Sequence, residues 1–181
     1  MIPKLFVTGN ELVLDSFRLA KKIVESGWTP DVLIALWRGG TPIAMGVHEY
    51  LLYHGIKPYH MVIKCQSYTG IGQRQPVVIE HAGPVLDEIK MSQRVLVVDD
   101  ILDSGNTARH VLATLRERAE DVRLATLYWK PNESAKDIRP DYFVHKTDRW
   151  IVFPHELEGL TPEEISHKNP ALHEMMFGKP Q

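Results

Sequence analysis

Two stretches of this chain, Asp31-Val32-Leu33-Ile34-Ala35-Leu36 and Arg94-Val95-Leu96-Val97-Val98, are apolar almost throughout and show no alternation. A short run without a polar side must be covered on both faces, which is the signature of a strand inside a parallel sheet rather than one half-bathed in water. Each run breaks on turn formers, Arg38-Gly39-Gly40 after the first and Asp99-Asp100 leading to Gly105 after the second. Each is then followed by a helical pattern, from Thr41 to about Tyr53 and from Thr107 to about Arg118. Pro58 to Ser67, Val122 to Trp129 and Tyr142 to Val144 read as further strands. Asn10 reads as the cap of a helix carrying Leu12, Leu14, Phe17, Leu19 and Ile23 and ending near Gly27. The alternation predicts an α/β fold, a mostly parallel twisted sheet flanked by helices, whose ligands bind beyond the carboxyl ends of the strands.

Size and charge narrow what such a sheet can serve. With 181 residues, 44% of them hydrophobic and 24% charged, the chain suits one folded domain with an ordinary core. A net charge of −2 and the lack of any long Lys/Arg block argue against nucleic acid as the main partner. No stretch approaches the ~20 apolar residues of a membrane span, and Met1 to Thr8 holds no long apolar core of a secretion signal. A single cysteine, Cys65, cannot form an intrachain disulfide and suits a reducing, cytoplasmic setting. His155-Glu156 opens like a zinc-protease helix, but Gly159 stands where the second histidine would be needed, so no zinc site is expected.

The chemistry concentrates at Val95 to Ala108, where the apolar run stops on Asp99 and Asp100, with Asp103 close behind. Adjacent carboxylates repel unless cations or hydroxyl donors compensate them, so the pair points to a polyhydroxylated or metal-bearing ligand. Asp103-Ser104-Gly105-Asn106-Thr107 offers small residues, successive backbone amides and two hydroxyls at a helix start, the means by which proteins cradle a phosphate. A Walker loop is excluded by the absence of Gly-Lys-Ser/Thr, and a dinucleotide fingerprint by the absence of Gly-x-Gly-x-x-Gly. Taken alone, two acids and a few small residues after a strand are more often plain turn formers.

The complete order of Val95 to Ala108 resembles the phosphoribosyl-pyrophosphate (PRPP) signature of the type I phosphoribosyltransferases. That resemblance implies the family's fold, with a small hood subdomain beside the sheet. It implies that Asp99 and Asp100 hold the ribose hydroxyls, directly or through Mg2+ at Asp100, and that Asp103, Ser104, Gly105, Asn106 and Thr107 bind the 5′-phosphate. Arg38-Gly39-Gly40 would be the pyrophosphate turn, glycine admitting backbone amides and Arg38 adding a forked cation, although Trp37 stands where a small residue is expected. Lys130-Pro131 and Asp148-Arg149-Trp150-Ile151 are similar to the xanthine-guanine and hypoxanthine branch. In that branch Lys130 would donate to a purine 6-oxo group, Trp150 would stack on the ring, and the Ile151 backbone would read the 2-position. An ammonium donates and cannot accept, which favours an oxo group over an amino group at position 6.

The implied reaction transfers phosphoribosyl from PRPP to N9 of guanine, xanthine or hypoxanthine, with Asp103 accepting the N7 proton or steering the ring. Tyr68 to Pro76 loses periodicity and reads as a mobile loop that closes over the site, with Arg74 as its pyrophosphate contact. The alternatives are a non-catalytic PRPP-sensing regulator of the same fold and a transferase for another base. A homo-oligomer is expected. Residues 1–158 are assigned to the catalytic domain with its hood and 159–181 to a surface tail, whose helix is started by Thr161 and Pro162. The resemblance leaves that tail unexplained, and residue types alone do not rank the three purines.

Overall fold

A computed structural model describes residues 4–66, 69–70, 73–74, 78–80, 82–134 and 137–178. Its elements, in chain order, are β1 (Lys4–Phe6), α1 (Gly9–Glu25), β2 (Val32–Trp37), α2 (Gly40–Tyr53), β3 (Tyr59–Gln66), β4 (Thr69–Gly70), β5 (Gln73–Arg74), β6 (Val78–Glu80), α3 (Ala82–Glu88), β7 (Arg94–Leu102), α4 (Asn106–Arg116), β8 (Asp121–Trp129), β9 (Tyr142–Lys146), β10 (Trp150–Val152), α5 (Pro162–Lys168) and α6 (Pro170–Phe177). The chain divides into two compact units, residues 13–148 and residues 1–12 with 149–181.

The larger unit holds a six-stranded sheet in the order β6-β3-β2-β7-β8-β9. Every neighbouring pair is parallel except β3 with β6. The two apolar runs lie side by side at its centre, Val32 opposite Val95 and Ala35 opposite Val98. Their lack of alternation is explained by burial: Val32 to Leu36 and Val95 to Val98 are all buried. One face of the sheet packs Val32, Ile34, Val95 and Val97 against Val111, Leu112 and Leu115 of α4. The other ends of β2 and β7 are tied by Asp31, which accepts from the Arg94 backbone at 2.8 Å and from its guanidinium at 3.1 Å.

The smaller unit is built on a parallel pair, β1 with β10, in which Lys4 lies opposite Trp150 and Phe6 opposite Val152. α5 opens with a capping box: the Thr161 side chain accepts from the Glu164 amide, and the Glu164 carboxylate accepts from the Thr161 amide. The same Glu164 accepts from Lys4 at 2.5 Å. The segment expected to be a surface tail therefore grips the first strand, and its Ile165 is buried.

Several expectations need correction. The cap of α1 is Thr8 rather than Asn10: Thr8 and Glu11 exchange bonds of 3.2 and 2.8 Å, and Thr8-Gly9-Asn10-Glu11 carries the Thr-x-x-Glu capping signature. Strand β7 runs through both acids to Leu102, because β8 continues beside it and supplies partners to Asp99, Ile101 and Leu102. Within Tyr68 to Pro76, the described residues form a short antiparallel pair, Thr69–Gly70 with Gln73–Arg74. The Arg74 side chain and the rest of that loop lie outside the described residues.

Candidate active site

The acids and both glycine-bearing bends meet at the carboxyl ends of β2 and β7. A cavity of about 230 Å³ is lined by Asp99, Asp100 and the loop through Thr107 to Ala108. Gly105 has φ +81°, a left-handed backbone that favours glycine, and a Cβ there would stand 2.5 Å from the Ile138 side chain. It is the N-cap of α4 and has no side-chain cap bond among the described residues. Gly39 is the N-cap of α2, again with no side-chain cap bond. Two helix starts thus present backbone amides and partial positive charge at the same edge as the acid pair.

The Arg38-Gly39-Gly40 turn is pressed onto that pair. A Cβ on Gly39 would lie 1.8 Å from Asp100 Oδ2, and one on Gly40 would lie 2.3 Å from the Val98 carbonyl oxygen and 3.0 Å from the Asp99 Cα. Gly40 meets backbone and requires glycine for space, whereas a side chain at Gly39 would have to displace the Asp100 carboxylate. Gly40 is the residue whose importance is not singled out by the motif alone, and the Gly-Gly doublet is the signal that carries it. Trp37 and Arg38 are exposed at the turn, and the peptide bond between them is cis.

Electrostatics at the pair is unfavourable. Burial, then the Asp100 charge, raise the Asp99 pKa well above the usual carboxylate value, and a bond from the Asp100 amide at 3.0 Å opposes them. Thr126, level with Asp99 in the next strand, is fully buried, and its Oγ1 has no hydrogen-bond partner among the described residues. Cys65 is pushed up to about 12 by burial first and the Asp99 charge second, so it is an unreactive packing thiol.

Lys130, which leaves the end of β8, is buried and donates to Asp103 Oδ2 at 3.1 Å. The ammonium and the carboxylate expected to meet the purine are therefore neighbours. Asp99, Asp100, Asp103 to Thr107, Arg38, Gly39 and Lys130 all belong to the larger unit. Trp150 and Ile151 belong to the smaller one, where Trp150 is 55% exposed and Ile151 is buried. In that unit Trp150, Val152, Lys4 and Glu156 line a cavity of about 420 Å³. Among the described residues, no group of three or more His, Cys, Asp or Glu side chains is arranged to hold a metal ion.

A doubly covered parallel sheet with this edge defines a phosphoribosyltransferase, and the chain belongs to the phosphoribosyl transferase domain family, whose profile matches residues 8–159. Its relatives are specific in kind. It is 30% identical over 157 residues to the xanthine-guanine phosphoribosyltransferase of Cereibacter sphaeroides, covering 83% of this chain and 86% of that one. It is 29% identical over 144 residues to the hypoxanthine-guanine phosphoribosyltransferase of Streptococcus pneumoniae, covering 78% and 77%. Among solved structures, the purine phosphoribosyltransferase of Pyrococcus horikoshii superposes with a TM-score of 0.70 at 29% identity, over 87% of this chain and 97% of that one.

Proposed function

We propose that this protein is a purine-salvage enzyme that transfers the 5-phosphoribosyl group of PRPP to N9 of a 6-oxopurine and releases pyrophosphate. The observation that carries the reading is the pair of glycine-capped helix starts, at Gly39 and Gly105, flanking Asp99 and Asp100. A ligand with two separated anionic ends and a hydroxylated middle fits that order; PRPP has it. The oxopurine-using relatives support the choice of base.

In this mechanism the loop from Asp103 to Thr107 binds the 5′-phosphate through its amides and hydroxyls. The turn at Arg38 and Gly39 holds the pyrophosphate, and Arg74 is the proposed further contact to it. Asp99 and Asp100 accept from the ribose hydroxyls. Their hard oxygen donors fit a magnesium ion, which usually takes one or two carboxylates and completes its shell with waters and substrate phosphates. When bound, that ion neutralises charge on the departing pyrophosphate. Lys130 donates to the 6-oxo group, Asp103 takes the N7 proton as N9 attacks the anomeric carbon, and Trp150 offers a flat apolar face to the ring with the Ile151 backbone reading position 2. Adenine, with a donor at position 6, opposes Lys130.

The test is a panel of guanine, xanthine, hypoxanthine, adenine and uracil with PRPP and Mg2+, following pyrophosphate. Release with oxopurines alone is expected. Release only with adenine or uracil overturns the base assignment, and tight PRPP binding with no release for any base favours the regulator. The reading includes a cytoplasmic homo-oligomer, to which the exposed Met175, Met176 and Phe177 lend an apolar surface. Light scattering measures that state. No described helix is long and apolar enough to cross a membrane.

A further inference from the structure

We infer that Lys168, at the end of helix α5, is a positioning residue for purine recognition, acting through the turn that terminates β10. The inference rests on the reading that Trp150 and Ile151 meet the base. Trp150 to Val152 form a strand of three residues, too short to hold its own geometry without support at both ends. On one side it has β1. At its exit stands Phe153-Pro154-His155-Glu156, and this turn is closed repeatedly. The Glu156 amide donates to the Phe153 carbonyl at 3.0 Å, and the Phe153 amide donates to Glu156 Oε2 at 2.9 Å. The Lys168 ammonium then donates to the Phe153 carbonyl at 2.7 Å and to the Glu156 carbonyl.

These contacts form a closed circuit. β10 pairs with β1; Lys4 of β1 holds Glu164 of α5; α5 delivers Lys168; and Lys168 returns to the two carbonyls that follow β10. An ammonium is suited to this place because it has several donors and no acceptor, so one group fixes two carbonyls at once. Burial lowers the Lys168 pKa and the Glu156 charge opposes that, so the cation is kept against the turn despite some loss of hydration. The turn also carries Glu156 into the cavity that Trp150 lines. A residue of the C-terminal segment, outside every motif of the site, therefore sets where the base-reading backbone lies.

The experiment compares the wild-type chain with Lys168→Met and Lys168→Arg in steady-state kinetics with guanine, xanthine and hypoxanthine. For Lys168→Met the KM of the base is expected to rise about fivefold or more and the preference among the three purines to change, while the KM of PRPP stays within about twofold. Lys168→Arg, which still donates to both carbonyls, is expected to restore most of the base affinity. Unchanged base KM and preference in a folded Lys168→Met protein overturns the inference, and so does a parallel rise of both KM values. If Lys168→Met does not fold, Lys168→Gln replaces it, and failure of both neutral variants to fold also overturns it, because the residue then serves the fold and not the base. A wild-type chain inert to all three oxopurines removes the functional reading itself, and this inference with it; an active wild type matched by Lys168→Met removes only the role of Lys168.

Discussion

Asp103 and Lys130 show how one side chain can hold another ready. Their 3.1 Å ion pair joins a carboxylate and an ammonium whose proposed targets, N7 and the 6-oxo oxygen, lie on one edge of an oxopurine. Asp103→Asn keeps the size and loses the proton acceptor, so kcat is expected to fall about a hundredfold with the KM of PRPP little changed; stopped-assay kinetics on both substrates checks this. Cys65 is the opposite case, a polarisable group disarmed by its surroundings. With its pKa pushed up to about 12, it is expected to stay unlabelled by a thiol-disulfide reagent at pH 8 in the native protein and to react once urea unfolds the chain. The separate roles expected of Asp103 and Lys130 came from the motifs that carry them. The mutual pairing of Asp103 and Lys130 was not legible in the sequence, since it joins the end of one strand's loop to the end of the next strand.

At the scale of elements, the central strands were readable because burial on both faces leaves a continuous apolar run, and α2 and α4 because glycine marks where each starts. The β1–β10 pair was missed: Lys-Leu-Phe and Trp-Ile-Val are each too short for periodicity and pair across most of the chain. The antiparallel β6 and the short α3 were missed for the same reason of length. Close packing between a turn and a strand is likewise invisible in one dimension. It is testable at Gly40, where a methyl would strike the Val98 carbonyl. Gly40→Ala is expected to cost about 1–3 kcal/mol of stability and to weaken PRPP binding, measured by urea unfolding and by PRPP titration. Gly9→Ala, whose added methyl meets nothing within 4 Å, is the neutral comparison.

Across the sheet, the Asp31–Arg94 pair and the proposed chemistry sit at opposite ends. Away from the ligand edge, hydrogen bonds from the Arg94 guanidinium hold the Asp31 carboxyl below the usual carboxylate range, with burial opposing them. A depressed acid stabilises the fold above its ordinary pKa and loses that contribution as pH falls through the lowered value. Asp31→Asn is therefore expected to cost about 1 kcal/mol near neutral pH, discounted for the partly exposed pair, and nothing in strong acid; unfolding curves across pH 2 to 7 measure the difference. The family was legible because its signature needs particular residues in a contiguous order, and the structure gathers those residues, Asp99 to Ala108, around one cavity. The work of residues 159–181 was not legible, because a lysine at the end of a helix carries no sign of which carbonyls it will meet.

The glycines that let Arg38's turn lie on Val98 and Asp100 have a last consequence. On the proposed reading, the leaving-group end and the sugar end of the donor would be gripped by what is mechanically a single part. Substitutions at Arg38 and Asp100 should then fail to add in a double-mutant cycle, each loosening the hold of the other.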